Sequence, residues 1–496
     1  MLIYYLILFN YDYLSNGLIL SKMSFTLLGF ILYLLIILVV GLITYKSNKS
    51  HFDFFLGGRK VNHWVVAFSE RASGESAWLL LGLPGAAYAL GVVEVWTAIG
   101  CVWGIIFYWY VIAEDLRRES EKVTSMTLPD FFAQKFQNGR TAIRITATLI
   151  IIFFFTFYLS AQFNGAGKVL FVTFGIDQFW GMVIGASFII VYTMLGGFFA
   201  VAFTDMIQGI IMISALVILP LAGIAEILSS KGEFAQAVAA SGDSYISLTG
   251  NKTGWLAFAF IISGLSWGFG YMGQPHLLTR FMSIKNPAKI KISRRIAIAW
   301  VIPGFTGGLV IGLVGLALYG KGYFEDVEQV MPHLANELLP SWLAGIFISG
   351  AIAAMMSTAD SQLLVISSSV IEDIYHKTLN KKVSDKVLLK LSRGITIVIG
   401  ILGFTIAVSS GKLIFSMVSY AWAGLGASFG PALFLTLKWK KTTWQGVLTG
   451  MIVGTLSTII WSEISWLDAI ISARLSSFVM ASLTVYFVSL ATYTDN

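Results

Sequence analysis

Long apolar segments follow one another along most of the chain, separated by short polar stretches. They run over 25–45, 64–90, 92–113, 142–170, 178–200, 203–228, 254–274, 295–320, 341–372, 388–409, 412–437, 443–461 and 466–490. A segment of this length spans the ~30 Å hydrocarbon core as a helix, and an isolated strand cannot satisfy its backbone there, so the pattern predicts about thirteen transmembrane helices. One segment is interrupted. Between Trp64 and Leu90 stands Glu70-Arg71-Ala72-Ser73-Gly74-Glu75-Ser76, with three charges and two hydroxyls. At 1.5 Å per residue this patch falls roughly 10–18 Å from Trp64, near mid-membrane. Charges there cost roughly 2.5–3.5 kcal/mol each on insertion scales, so they mark a partner, a cavity or a pathway.

Composition agrees with the pattern. Of 496 residues 57% are hydrophobic and 12% charged, and mean hydropathy is +0.79. A soluble domain carries about 25% charged residues, so this chain lacks the charge to cover a soluble surface. It belongs in a lipid bilayer, and its net charge of +7 is not read as a nucleic-acid footprint. Instead the cations cluster in alternate loops. They include Lys46, Lys49, Arg59 and Lys60; Arg117, Arg118, Lys122, Lys135 and Arg140; Arg280, Lys285 and Lys289; Lys377, Lys381 and Lys382; and Lys438, Lys440 and Lys441. The intervening loops are poor in cations, and one carries Glu325, Asp326, Glu328 and Glu337. This asymmetry predicts a multi-pass protein of the cell (inner, plasma) membrane with its N-terminus outside and its C-terminus in the cytoplasm. Residues 1–22 read as an N-terminal extension with Met23 as an alternative start, and 23–496 as a single transporter domain. The lone cysteine, Cys101, excludes an intramolecular disulfide framework.

Three polar interruptions lie at similar depth. The first is the patch ending at Ser76. The second is Ser263-Gly264-Leu265-Ser266-Trp267-Gly268-Phe269-Gly270-Tyr271-Met272-Gly273-Gln274-Pro275-His276, whose glycines and proline weaken a continuous helix. The third is Ser357-Thr358-Ala359-Asp360-Ser361-Gln362. By the loop charges, the first two segments enter the membrane from opposite sides, five segments apart. That matches inverted repeats of five helices whose broken members meet at the midplane, where solutes and coupling ions bind. The hydroxyls of Ser357 and Thr358 are hard oxygen ligands suited to a small hard cation. Trp267 and Tyr271 join an apolar face to a polar tip and suit the wall of a small-solute site. Each feature also has a purely structural reading: hydroxyls that hydrogen-bond a neighbouring helix, and Arg71 with Glu75 as a self-neutralising i, i+4 pair.

These segments, with several others in the same order, resemble the sodium/solute symporter family over nearly everything from Met23 to Leu490. The similar stretches include Leu56-Gly57-Gly58-Arg59, Trp78-Leu79-Leu80-Leu81-Gly82-Leu83-Pro84-Gly85, Thr127-Leu128-Pro129-Asp130-Phe131-Phe132 and Gly196-Gly197-Phe198-Phe199-Ala200-Val201. The most specific are Trp267 to His276 and Val418-Ser419-Tyr420-Ala421-Trp422-Ala423-Gly424. Among family members the resemblance is greatest to bacterial carriers of proline. It implies an all-α integral membrane protein with the 5+5 inverted-repeat core of the leucine transporter and sodium as the coupling ion. It places sodium on Ala72, Glu75, Ala354, Ser357 and Thr358, with main-chain carbonyls from the broken helix. It gives Asp205 a part in coupling. The solute falls on Ser76, Tyr158, Trp267, Tyr271 and Pro275. One departure stands out. Those proline carriers have Ala-Ser-Asp-Met-Ser-Gly-Trp where this chain has Ala72-Ser73-Gly74-Glu75-Ser76-Ala77-Trp78. Either the carboxylate has moved one position, into the cation site, with Arg71 keeping Glu75 ionised for coupling, or the coupling or the solute has changed; the first is the reading adopted.

The expected function is sodium-coupled import of a small solute, L-proline first, with another amino acid or a small carboxylate as the alternative. An enzyme is not expected: no His-Glu-x-x-His motif occurs and the histidines His51, His63, His276, His333 and His376 are scattered. A membrane sensor derived from a transporter would normally carry a large cytoplasmic tail, and a channel would show single-channel currents. Apart from sodium no cofactor is expected, and the oligomeric state is not legible.

Overall fold

The computed structural model describes residues 17–45, 50–379 and 383–494. Most of the expected N-terminal extension (residues 1–16) and the loop cations Lys46, Lys49, Lys381 and Lys382 lie outside them. The described chain is helical, with one isolated bridge between Val61 and Ile284. Its principal helices are α1 (Gly17–Tyr45), α2 (His63–Ala77), α3 (Leu83–Leu90), α4 (Val95–Val111), α5 (Arg140–Phe174), α6 (Gln178–Ser230) and α7 (Gly254–Leu265). They continue with α8 (Trp267–Gly270), α9 (Pro275–Ser283), α10 (Ile290–Tyr319), α11 (Ser341–Ser368), α12 (Asp385–Ser409), α13 (Ile414–Lys438), α14 (Trp444–Glu463) and α15 (Ala473–Thr492). Residues 17–22 form the first turns of α1, so the boundary drawn at Met23 falls inside that helix. The last expected segment, 466–490, divides into a short helix, Ser465–Ile470, and α15.

Ten helices among the described residues are long and apolar enough to cross a membrane, and the count of thirteen is not reached on length and composition. Part of the difference is that the run His63–Val111, which covers two expected segments, folds back on itself and counts once. Arg71 in α2 hydrogen-bonds Tyr108 in α4 at 2.8 Å across 37 residues, a stretch that would span about 55 Å as a straight helix. The reversal falls at Gly91, whose φ of 82° is open to glycine. In α6 the Tyr192 hydroxyl meets Thr204 at 2.8 Å, and the turn is Gly197 at φ 65°, ψ 179°. Two shorter apolar helices, Phe25–Val40 and Gln178–Met194, account for further segments.

The outer surface is apolar. Leu28, Leu32, Trp103, Ile401, Ile460 and Phe487 are all exposed, as a lipid-facing rim requires and a water-facing one forbids. The polar groups lie inside, around α2, α8, α9 and α11. The interruptions at Ser76 and at 271–274 do break their helices, whereas Ser357–Gln362 leave α11 continuous. Glycines let α4 approach the second broken segment backbone to backbone. A Cβ on Gly104 would collide with the Gly268 carbonyl, and one on Gly100 with Leu265. Gly104→Ala should therefore push α8 away from α4 and lower stability by about 1–3 kcal/mol. A lower thermal midpoint of the purified protein is the expected result, with transport reduced because α8 carries Trp267.

Candidate cation and solute sites

The first broken helix starts on an Asn62 cap, whose side chain accepts from the Trp64 N–H at 2.9 Å, and runs regularly to Glu75. Ser76 then takes φ 49°, ψ −169°, a conformation that L-residues rarely adopt and that persists only where the surroundings impose it. Here the Ala77 N–H donates to Gln162 Oε1 at 3.1 Å, and the Trp78 N–H to Ser76 Oγ at 3.1 Å. A π-type turn over Trp78–Gly82 leads into α3. The second break passes from α8 through a 3-10 turn, Tyr271–Gly273, to an extended Gln274. Pro275 restarts the chain at the first position of α9, where its missing N–H is no loss.

Helix α11 crosses α2 just before the first break. Ser357 Oγ donates to the Ala72 carbonyl at 3.0 Å and lies 3.1 Å from the Ala354 carbonyl. Thr358 Oγ1 donates to the Ser73 carbonyl at 2.9 Å. All of these residues are buried. The result is a knot of oxygens from two helices without a nitrogen or sulfur ligand, the donor set of a small hard cation. Ala72, Ala354, Ser357 and Thr358 therefore come together as expected. Glu75 joins only by its position on the backbone, and its carbonyl accepts the Trp78 N–H.

Beside this knot lies a charged floor. Asp205 Oδ2 accepts from Ser69 Oγ at 2.6 Å, Ser73 Oγ at 3.1 Å and Arg280 Nη2 at 3.0 Å. The Arg280 guanidinium also donates to Ser69 at 3.2 Å, Ser73 at 2.9 Å, the His276 carbonyl at 2.8 Å and Ser361. Ser73 connects floor to knot: its hydroxyl is 3.1 Å from the Ser357 carbonyl, and its own carbonyl receives Thr358 and meets His276 Nε2 at 3.2 Å. Arg280 is thus a correction. It is 1% exposed and sits on α9, so it is no loop cation. Arg117 is buried in the same way and donates to the Ile284 carbonyl at 2.8 Å.

On the other face of α2 are the solute candidates. The Tyr158 hydroxyl is 3.3 Å from Ser76 Oγ. Trp267 packs on Trp78 with ring centres 4.5 Å apart, and Tyr271 packs on Trp422 at 4.7 Å. The Trp422 indole N–H holds the Trp267 carbonyl at 3.0 Å. Ser76, Tyr158, Trp267 and Tyr271 therefore gather about the two breaks. Pro275 is buried one helical turn further on, its carbonyl accepting from Thr279 at 2.7 Å, and acts by starting α9. A cavity of about 650 Å³, lined in part by Glu94, Thr97, Phe415, Tyr420 and Arg474, abuts Trp267. The Arg474 guanidinium lies 4.4 Å above the Trp267 ring.

One expectation differs from what is seen: the Glu75 carboxylate, expected in the cation site, meets Arg71 at 2.6 Å and the Tyr271 hydroxyl at 3.3 Å. Arg71 and Glu75 pair as their i, i+4 spacing predicts, on one side of α2, while residues 69 and 73 share another. A Cβ at Gly74 would stand 3.6 Å from Arg71 Nη2. An aspartate at that position would compete for the guanidinium, which Glu70 and Glu75 already occupy.

The chain belongs to the sodium:solute symporter family, whose model matches residues 54–454. It is 35% identical over 471 residues to the sodium/proline symporter of Salmonella typhimurium, covering 94% of this chain and 92% of that one. It is 37% identical over 458 residues to the high-affinity proline transporter PutP of Bacillus subtilis, covering 92% and 96%. Among solved structures, a substrate-bound, outward-open Na+-coupled sialic acid symporter superposes with a TM-score of 0.80 at 18% identity, over 95% of this chain and 99% of that one. MhsT in complex with L-phenylalanine gives 0.58 at 14% identity, over 88% and 99%. The fold is that of the leucine-transporter class, and the chain is a multi-pass membrane transporter, not an enzyme, whose family couples transport to sodium.

Proposed function

We propose that this protein imports L-proline with sodium across the cell membrane, N-terminus outside and C-terminus in the cytoplasm. The observation that carries the reading is the meeting of two broken helices: an oxygen knot lies on one face of α2 and an aromatic solute wall on the other. In this reading sodium binds the Ala72, Glu75 and Ala354 carbonyls and the Ser357 and Thr358 hydroxyls. The solute binds among Ser76, Tyr158, Trp267 and Tyr271, with Pro275 shaping the second break. Asp205 positions the cation ligands through Ser73. Sodium draws α11 onto α2 at the residues that lead into the Ser76 break, so cation binding shapes the solute wall. Each ligand then raises the other's affinity by the same factor. The sodium gradient drives uptake as the repeats rock about this point. The loop cations support the orientation.

The test is uptake of labelled proline into proteoliposomes with and without an inward sodium gradient, and with competing amino acids and small carboxylates. Accumulation only with the gradient, inhibited best by proline, is expected. Gradient-independent uptake would defeat the coupling, and stronger inhibition by another solute would defeat the choice of proline. Ser357→Ala or Thr358→Ala should raise the sodium concentration for half-maximal uptake about tenfold or more, or ~1.4 kcal/mol. Unchanged sodium dependence in both variants would remove these hydroxyls from the site.

A further inference from the structure

Two carboxylates and one guanidinium are wholly buried at the first break: Glu70, Arg71 and Glu75. They do not share charge evenly. Glu70 receives Arg71 Nε at 2.6 Å and also Arg71 Nη2, the forked geometry in which guanidinium and carboxylate pair best. Its Oε2 is further held by the Trp109 indole N–H at 3.0 Å. Glu75 receives a single Arg71 donor, Nη1 on Oε1 at 2.6 Å. Among the described residues its Oε2 has only the Tyr271 hydroxyl, at 3.3 Å. Glu70 and Arg71 thus close as a neutral pair, and with all three groups ionised the surplus negative charge falls on Glu75, the less satisfied carboxylate, whose Oε2 faces the solute wall.

A surplus charge at this depth calls for a cation. Among the described residues only Arg71 forms an ion pair with Glu75. Arg280 is engaged by Asp205, and Arg474 by Ser419 and the Ser263 carbonyl. Sodium in the oxygen knot does not answer the need directly, because Ser357 and Thr358 reach the α2 main chain from the side facing α11, while the Glu75 carboxylate points towards Tyr271.

We propose that the Glu75 carboxylate is the receptor for the ammonium group of the transported solute, with Arg71 holding it in place. The inference rests on the reading above that the solute is an amino acid such as proline. A secondary ammonium brings one positive charge and two N–H donors. It offsets the Glu75 charge locally, leaving the solute's own carboxylate to other partners, and supplies Glu75 Oε2 with the strong donor it lacks. The carboxylate becomes the group that tells amino acids from acids of the same shape without nitrogen, since such an analogue leaves it buried and unpaired.

The test uses the intact chain in proteoliposomes with two solutes of nearly equal shape, L-proline and tetrahydro-2-furoate, in which a ring oxygen replaces the nitrogen. Wild-type protein should prefer proline by about a hundredfold or more in half-saturating concentration. Glu75→Gln should raise the proline value about tenfold or more, while the tetrahydro-2-furoate value and the half-saturating sodium concentration stay within about twofold. Retained handling of tetrahydro-2-furoate shows that the variant is folded. If Glu75→Gln yields too little protein, Glu75→Asp gives the same reading, with proline weakened and the analogue unaffected. A shifted sodium dependence with an unchanged proline-to-analogue ratio overturns the proposal and assigns the carboxylate to the cation. Wild-type protein that accumulates another amino acid but no proline overturns the choice of proline alone, and the same ratio against that acid's des-amino analogue then decides Glu75. Wild-type protein that accumulates only acids lacking nitrogen overturns both.

Discussion

Arg71→Met is expected to leave little folded protein, and Glu70→Gln combined with Arg71→Met is expected to recover part of it. The single change removes the guanidinium from between two carboxylates that are fully buried. Two unpaired negative charges then face each other in a medium that cannot solvate them. Breaking a buried pair this way costs about 3–5 kcal/mol, a large share of the roughly 5–15 kcal/mol that holds a typical domain folded. The double variant removes the Glu70 charge as well, so the break returns to its original surplus of one negative charge on Glu75. The amide that replaces the Glu70 carboxylate can still accept the Trp109 indole N–H, which in the wild type reaches Glu70 at 3.0 Å. Detergent-extracted yield and thermal midpoint, measured for both singles and the double, give the interaction between the two sites. A single Arg71→Met variant as stable as wild type would show that the pair does not support the fold. Transport in the rescued double should still be weak for proline, because Glu75 has lost its Arg71 donor.

Much of the arrangement is legible in the sequence because the membrane simplifies it. Inside lipid a polar run in an apolar segment has few explanations, so the patch from Glu70 to Ser76 and the glycine-rich run from Trp267 to Pro275 point to the two breaks without any fold. The reversal at Gly91 also falls between segments that hydropathy separates, whereas the one at Gly197 lies inside the segment read as 178–200, a few residues before its end. Arg280 reads differently in sequence and in space. It stands five residues before Lys285 in a cation-rich stretch and resembles a loop charge, yet α9 carries it inward to Asp205. The distribution of cations cannot tell a buried arginine from a loop one when a helix ends between them. The side chain of Glu75 is a second case. Helical spacing places it with Arg71, but which neighbour that face meets depends on α4 and α8, and Tyr108 and Tyr271 are far away in sequence. Neither Ser73 nor Gln162 stands out along the chain as a site residue. Ser73 acts through its two oxygens at a crossing of α2 and α11, and Gln162 catches the Ala77 N–H; a linear pattern records neither.

The second large effect is expected at Asp205. This carboxylate neutralises Arg280 at 3.0 Å and holds Ser69 and Ser73. Asp205→Asn removes that neutralisation and leaves the Arg280 charge beside the oxygen knot, with the buried Asp360, joined to it through Ser361, as the nearby carboxylate that remains. Ser73 links the two, 2.9 Å from Arg280 and 3.1 Å from the Ser357 carbonyl, and two unit charges roughly 6 Å apart at an effective dielectric of about 20 repel by roughly 3 kcal/mol. The half-saturating sodium concentration should therefore rise by about a hundredfold. Ser73 also exchanges a charged acceptor for a neutral amide oxygen, so the carbonyl that it presents to Thr358 is less firmly placed. The companion variant separates charge from geometry. Asp205→Asn with Arg280→Met removes both charges, so it should recover most of the lost sodium affinity even though Ser69 and Ser73 now share a weaker, uncharged acceptor. Sodium dependence of proline uptake is the readout, taken at equal amounts of reconstituted protein so that yield does not enter. Wild-type sodium dependence in the single variant would show that Asp205 takes no part in the cation site. A double variant no better than the single would place its contribution in the hydrogen bonds to Ser69 and Ser73 instead of the charge it cancels.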